Sequence, residues 1–153
     1  MMSRCCDVLK ALRGKTLVTA ESCTGGGIGS AITAVSGASE VYKGGIICYT
    51  NWVKNHVLGV DAGILETCGA VSAPVAEQMA QGARTVLEAD IAVSVTGLAG
   101  PGGDEYGNPV GTVFIGYSDR NRTISRKFLF EGDREAVRSG AAREALKLIL
   151  EFN

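Results

Sequence analysis

One stretch, Thr19 to Gly27, constrains the fold of this chain more than any other. It reads Thr-Ala-Glu-Ser-Cys-Thr-Gly-Gly-Gly and follows the short apolar run Leu17-Val18. The spacing i, i+3, i+4, i+7, typical of a helix buried on one face, follows it at Ile28, Ala31, Ile32 and Val35. The sequence therefore predicts a strand, a tight loop and the start of a helix.

The glycines at positions 25 to 27 are costly where a helix begins. Each loses about 1 kcal/mol of helix propensity relative to alanine, which indicates that some group must approach the backbone closely. The first N–H groups of a helix have no partner within it and attract anions. We therefore expect an anion or oxyanion site in this turn, with three side chains at its mouth: Ser22, Cys23 and Thr24.

Length and charge exclude several classes of protein. The 153 residues, 46% of them hydrophobic, are enough for one domain, residues 1–153, with a sizeable core. A net charge of -1 gives no electrostatic footprint for nucleic acid. No apolar stretch approaches the roughly 20 residues that span a bilayer. We expect a cytoplasmic protein that binds neither nucleic acid nor membranes.

Metal chemistry is also disfavoured. The five cysteines include no C-x-x-C pair, and His56 is the one histidine. Neither a disulfide framework nor a zinc site fits that pattern, so we interpret the thiols as reduced, small apolar side chains. We predict no metal and no cofactor.

Helices and strands alternate through most of the chain. Strands are predicted at about 15–20, 45–49, 91–96, 111–117 and 123–130, the last two forming an antiparallel hairpin around Asp119-Arg120-Asn121. Helices are predicted before Gly14, at about 24–35, around Lys54 and His56, at 61–69, from Ser72 with Ala76, Met79, Ala80, Ala83, Val86 and Leu87 inward, and after Asp133. This order predicts an α/β fold, a three-layer α/β/α sandwich with a mixed sheet.

The loops favour nucleophilic catalysis over a phosphate cradle. No G-x-x-x-x-G-K-[ST] motif is present, and Gly27 is followed three residues later by Ser30, not by glycine or alanine. Ser22 would need a base, either His56 or a lysine kept neutral by burial, such as Lys54. Tyr49 could relay a proton. Lys54 and His56 are two residues apart on a helix and cannot face the same way. Taken singly, each residue also has an ordinary structural explanation: Ser22 as a turn hydroxyl, Tyr49 as a strand-end aromatic and Lys54 as a surface charge.

An ordered set of motifs resembles the C-terminal domain family of the competence/damage-inducible protein CinA. Stand-alone members of that family are known as nicotinamide-nucleotide amidohydrolases. The resemblance covers about residues 10 to 150. Its motifs are Ala20 to Gly26, Tyr49-Thr50-Asn51 with Lys54, Leu58-Gly59-Val60, Gly69 to Ser72, Val95 to Gly103, Pro109 to Val113 and Gly132-Asp133-Arg134.

The resemblance implies a deamidase that converts nicotinamide mononucleotide to nicotinate mononucleotide and ammonia. Ser22 would be the nucleophile, Lys54 its general base and Tyr49 an assisting hydroxyl. The amides of residues 25 to 27 would supply an oxyanion hole. The substrate-binding residues implied are Thr24, Gly25, Gly26, Gly27, Asn51, Thr96, Gly97, Ala99, Gly100 and Arg138. A homo-oligomer is also expected.

The last helix offers two arginines for the substrate phosphate. Arg134 and Arg138 are four residues apart and share a face. Arg138 matches an arginine of the family pattern, and we choose it for the phosphate. The alternative is a surface ion pair with Glu131 or Glu135.

Two hypotheses of different class remain at this stage. The first is the amidohydrolase, in which Ser22, Tyr49 and Lys54 converge. The second is a domain of the same fold that binds a nucleotide or a partner without catalysis. A distance above about 4–5 Å between the Ser22 hydroxyl and the Lys54 amine would favour the second hypothesis. Trp52-Val53, where the family more often has small or acidic residues, leaves the substrate preference open.

Overall fold

A mixed sheet of five strands, in the order β2-β1-β3-β4-β5, forms the centre of the molecule. The computed structural model describes residues 1–153. The strands are β1 (Leu17–Glu21), β2 (Tyr42–Ile47), β3 (Ile91–Gly97), β4 (Thr112–Ser118) and β5 (Thr123–Leu129). The helices are α1 (Met2–Ala11), α2 (Gly27–Thr33), α3 (Asn51–His56), α4 (Ala62–Cys68), α5 (Ala73–Val86) and α6 (Arg134–Glu151), with one 3-10 turn at Ala38–Glu40. None of the helices is both long and apolar enough to cross a membrane.

Helices cover both faces of the sheet. One apolar cluster packs α1, α2 and α6 against the sheet, and a second packs α5 with the α3 and α4 region against the other face. Residues of β3 alternate between the two clusters, Ile91, Val93 and Val95 in the first and Ala92 in the second. Burial on both faces explains why this strand is apolar almost throughout. The predicted three-layer sandwich is confirmed.

Several boundaries follow the chemistry of the sequence. The Asp61 and Asp133 side chains cap α4 and α6, accepting from Ile64 N at 2.9 Å and Ala136 N at 2.8 Å. The predicted hairpin is present, since β4 and β5 pair antiparallel from Thr112–Leu129 to Ser118–Thr123.

Three details differ from the predictions. Helix α2 begins at Gly27, later than expected, because Gly25 and Gly26 have φ of 59° and 95° and continue the turn. Strand β2 begins at Tyr42 and ends at Ile47, two residues before Tyr49, because it pairs with the whole of β1. Val86, predicted to face inward, is 51% exposed. Leu87, also predicted to face inward, is partly buried and packs against the same cluster as Ala83.

The sheet topology brings three loops together. Strands β2, β1 and β3 are parallel, so their carboxyl ends share one edge of the sheet. The loops that follow them start at Cys48, Ser22 and Leu98. In open α/β sheets, ligands bind at this edge, where the connections leave a central strand in opposite directions. Any site in this molecule is expected there first.

Candidate active site

Ser22 follows β1 directly and is held against the neighbouring strand. Its backbone N–H donates to Val95 O at 2.9 Å, and the residue is buried. The hydroxyl reaches a cavity of about 340 Å³ at the carboxyl edge of the sheet. The cavity is lined by Ser22, Cys23, Tyr49, Asn51, Lys54, Ala70, Val71, Thr96, Gly97, Leu98, Ala99, Gly100, Gly102 and Arg134.

Lys54 is the base candidate that the fold brings to Ser22. Its Nζ lies 3.0 Å from Ser22 Oγ and 2.7 Å from Cys48 O, and the residue is only 1% exposed. No carboxylate lies within salt-bridge distance of it. Burial lowers the pKa of the Lys54 amine, because the charged form loses its hydration. An amine in this position is a base within reach of a serine hydroxyl.

The distance between the two groups bears on both hypotheses from the sequence. At 3.0 Å it lies below the limit above which a non-catalytic domain would be favoured. His56 does not compete for the role of base. Its Nδ1 lies 3.0 Å from Trp52 O, and its ring stacks on the Trp52 ring with 4.3 Å between the ring centroids. Neither side chain lines the cavity.

Glu21 organises the glycine-rich turn, a role that no pattern in the sequence indicated. Its buried carboxylate accepts four hydrogen bonds: from Thr24 Oγ1 at 2.7 Å, Gly26 N at 3.1 Å, Ile28 N at 3.0 Å and Gly29 N at 2.9 Å. These N–H groups lie at the start of α2, where negative charge is favoured. The anion that the turn attracts is therefore a side chain of the protein itself.

This arrangement corrects the predicted oxyanion hole. Gly26 N donates to Glu21, while Gly25 N and Gly27 N donate to Ser22 O and Thr24 O. The three glycine amides are thus occupied, and neither they nor Thr24 line the cavity. Two neighbouring amides, those of Cys23 and Thr24, donate to no acceptor within the chain. The free donors beside Ser22 lie earlier in the turn than predicted.

Arg138 has a different place from the one predicted. Its Nε donates to Cys23 O at 3.1 Å and its Nη2 to Thr24 O at 3.2 Å, and Glu135 lies 3.5 Å from it. It does not line the cavity. The guanidinium therefore holds the turn that carries Ser22, and its distance to Glu135 matches the ion pair considered as the alternative.

Arg134, one turn earlier on α6, lines the cavity instead. It donates to Gly100 O at 2.7 Å and to the Tyr49 hydroxyl at 3.2 Å. The other predicted residues of the wall are in place: Asn51, Thr96, Gly97, Ala99 and Gly100. Thr96 donates its hydroxyl to Ala70 O at 2.8 Å, which links two walls. Apart from Lys54, Arg134 is the one cationic side chain of the cavity.

The thiols near Ser22 are not activated. Burial raises the pKa of Cys23 and of Cys48 to about 11 each. Both are therefore protonated at neutral pH, and all five cysteines are free. No cluster of histidine, cysteine or acidic side chains has the arrangement to hold a metal ion.

The lowered pKa of Lys54 predicts a pH dependence. If the neutral amine is the base, kcat/KM rises with pH as Lys54 loses its proton and is level above its pKa. The midpoint should lie below the value of about 10.4 that is usual for lysine. A pH-rate profile of a reaction at Ser22 measures it. Activity that is highest at acid pH and falls as the pH rises would contradict a neutral lysine base.

Both related sequences and related structures carry CinA or competence/damage-inducible names. Residues 1–153 match the CinA C-terminal domain. A CinA-like protein of Rippkaea orientalis is 48% identical over 137 residues, which are 88% of this chain and 33% of that protein. A CinA-like protein of Thermotoga maritima is 43% identical over 140 residues, 92% of this chain and 34% of that protein. The chain thus spans about a third of the length of these curated relatives.

Solved structures match over almost the whole chain. The competence damage-inducible protein A of Klebsiella pneumoniae has a TM-score of 0.95 and 38% identity, covering 98% of this chain and 94% of its own. A CinA superfamily protein of Escherichia coli has a TM-score of 0.97 and 34% identity, covering 99% and 90%.

Proposed function

The chain belongs to the CinA C-terminal domain family, and from that premise we propose that it is a hydrolase that deamidates nicotinamide mononucleotide. The products are nicotinate mononucleotide and ammonia. The observation that carries the proposal is the Ser22–Lys54 pair, with 3.0 Å between Oγ and Nζ and no carboxylate on the amine. A buried lysine without a counter-ion is costly to keep charged, and its neutral form is suited to activating a serine.

The reaction proceeds in two halves. The neutral Lys54 amine takes the proton of the Ser22 hydroxyl while Oγ attacks the carboxamide carbon. The tetrahedral intermediate then collapses, the C–N bond breaks, and Lys54 returns the proton to the leaving ammonia. A water molecule, deprotonated by the same amine, attacks the resulting ester. The ester C–O bond breaks, Lys54 returns the proton to Ser22 Oγ, and the acid leaves as the carboxylate after losing its proton to solvent. No cofactor is needed.

The amide of Cys23, which lines the cavity beside Ser22, is the proposed oxyanion donor, and the Thr24 amide follows it in the turn. They are unpaired in the chain and adjoin the Ser22 nucleophile. The Glu21 carboxylate and the Arg138 guanidinium hold the turn from both ends. One such donor typically stabilises the transition state by about 2.7–4 kcal/mol. The Tyr49 hydroxyl, on the cavity wall, is the assisting group.

Arg134 is the proposed partner of the substrate phosphate, because it is the one cation of the cavity wall besides Lys54 and has no carboxylate partner. Arg134→Met is expected to lower kcat/KM for nicotinamide mononucleotide by about tenfold or more, since a hydrogen bond to a charged group contributes about 1.5–3 kcal/mol. Kinetics on the nucleotide and on nicotinamide riboside, which lacks the phosphate, measure the effect. The ratio of the two kcat/KM values should fall.

The matched control for Arg134 is Arg143→Met on the same helix, because Arg143 is exposed and lies outside the cavity. It should leave the ratio unchanged. If Arg134→Met lowered kcat/KM equally for both substrates, the role of Arg134 would be to hold Tyr49 and Gly100. The phosphate would then need another partner.

The decisive test of the function is ammonia release by the purified protein. Nicotinamide mononucleotide is offered beside nicotinamide riboside, free nicotinamide and glutamine, and the product is identified by mass spectrometry. We expect turnover of the mononucleotide to nicotinate mononucleotide, in preference to the other amides. No turnover of any of them across a pH series would overturn the proposal and leave a binding domain.

A further inference from the structure

A second cavity, of about 380 Å³, lies at the opposite edge of the sheet from Ser22. It forms where β1 and β3 begin and where β4 ends, next to Lys15, Ile91 and Asp119. Strands of this length separate the two edges by roughly 16–23 Å. The two cavities share no lining residue.

Positive charge is concentrated in this second cavity. Its lining includes two carboxylates, Asp90 and Asp119, and four cationic side chains: Lys15, Arg84, Arg120 and Arg122. The chain as a whole has a net charge of -1. Local cationic excess in a concave surface raises the concentration of small anions there.

The two carboxylates are already engaged by their own loops. Asp90 Oδ2 accepts from Thr16 N at 2.8 Å and from Thr16 Oγ1 at 3.0 Å. Asp119 Oδ1 accepts from Asn121 N at 2.7 Å and Arg122 N at 2.9 Å. Arg122 is the one cation of the cavity within salt-bridge distance of a carboxylate, 3.8 Å from Asp119. The acidic side chains are thus held by their own loops, and four cationic side chains against two acidic ones leave the cavity with an excess of positive charge.

Arg84 is oriented but not paired. Its Nε donates to Ser118 Oγ at 3.2 Å, and the buried Ser118 hydroxyl also lies 2.9 Å from Thr123 Oγ1. Both terminal nitrogens of the guanidinium lack an acceptor in the chain. A guanidinium that is held at Nε and has both Nη groups free is suited to bidentate recognition of a phosphate group.

Lys15 and Arg120 flank the same space. Lys15 Nζ donates to Asn153 Oδ1 at 3.1 Å, and Arg120 has no hydrogen-bond or salt-bridge partner. Both are close enough to Asp90 to contribute to its lowered pKa, after the larger effect of the hydrogen bonds from Thr16. Three cations without carboxylate partners therefore converge on one cavity.

We propose that this cavity is a binding site for a small phosphorylated anion. The two free Nη groups of Arg84 would contact one phosphoryl group, with Lys15 and Arg120 beside it. The volume of the cavity is within the range of small-molecule sites. The inference does not depend on the proposed amidohydrolase activity, since no residue of the Ser22 cavity takes part.

The test is titration with inorganic pyrophosphate, followed by amide NMR shifts and by calorimetry at constant ionic strength. We expect saturable shifts of the amide signals of Lys15 and of the Asp119–Asn121 turn. The amide signals of Gly97–Gly100, in the Ser22 cavity, should not shift. Arg84→Gln should weaken binding by about tenfold or more, the size expected for a bidentate charge-assisted contact. Arg143→Gln, an exposed arginine elsewhere, should change it by less than about twofold.

Three results would overturn the proposal. Wild-type protein that binds neither pyrophosphate nor inorganic phosphate has no such site. Binding that Arg134→Gln removes and Arg84→Gln leaves intact belongs to the Ser22 cavity. Equal weakening by Arg84→Gln and Arg143→Gln reflects general charge and not a built site.

Discussion

Ser22→Ala and Lys54→Met are each expected to lower amide hydrolysis by roughly 10³-fold or more, because nucleophile and base act as one unit. Without the hydroxyl no acyl-enzyme forms, and without the amine the buried hydroxyl keeps its proton. The double variant should be hardly slower than either single one, since groups that act together are not additive. Steady-state and single-turnover ammonia release measure the losses.

The choice of substitution at position 54 separates chemistry from folding. Methionine fills a volume similar to that of lysine and carries no polar head, so it suits a buried site. We expect the thermal midpoint of Lys54→Met to stay close to that of the wild type, because removal of a desolvated amine offsets the hydrogen bond that Cys48 O loses. Lys54→Arg keeps the positive charge but cannot act as a neutral base, and it should be as inactive as methionine.

Lys43→Met is the matched control for the lysine substitution. Lys43 is exposed on the edge strand and donates to Glu88 O, remote from Ser22. It should keep the wild-type rate. A Lys54→Met or Lys54→Arg protein that retains a large part of the activity would remove lysine from the mechanism.

Much of the fold was predictable because it depends on local patterns. The period of the apolar residues, the aspartates at 61 and 133, and the apolar run at 91–96 each fix one element without reference to the others. Boundaries were less predictable where partners decide them. Strand β2 extends back to Tyr42 because β1 offers it a full parallel register.

The site was predictable only in part, because its geometry depends on contacts between distant residues. Ser22 and Lys54 are 32 residues apart in sequence; the residues alone left Lys54 and His56 both open as the base, and the family resemblance favoured Lys54. Arg134 and Arg138 share a face of α6 one turn apart. Arg134 lines the cavity, whereas Arg138 lies behind the turn that carries Ser22. Sequence spacing fixes the face of a helix and not the position along its axis that meets a cavity.

Glu21 shows most clearly what the sequence could not indicate. Three adjacent glycines and a helix start predict unpaired N–H groups and an anion, but they do not distinguish a bound ligand from a carboxylate of the chain. The structure places that carboxylate at the end of β1, directly before the nucleophile, with four donors on it. The turn is therefore complete before any substrate binds.

Glu21→Ala is consequently expected to lower the free energy of unfolding by at least about 3 kcal/mol, since four donors, two of them buried, would lose the carboxylate that accepts from them. For a chain of this length, that corresponds to a fall of roughly 6–12 °C in the thermal midpoint. Glu21→Gln keeps one carbonyl oxygen and should be intermediate. Urea and thermal unfolding of both variants measure the effect.

The same substitution should also slow catalysis in the protein that remains folded. The carboxylate fixes the turn that presents the Cys23 amide to the cavity beside Ser22, so its loss disorders the proposed oxyanion donor. Assays well below the midpoint should show a reduced kcat with a smaller change in KM. Glu131→Ala, which removes an exposed and unpaired carboxylate, should alter stability by less than about 0.5 kcal/mol. If Glu21→Ala proved as stable and as active as Glu131→Ala, the turn would owe its conformation to the glycines and to Arg138 instead.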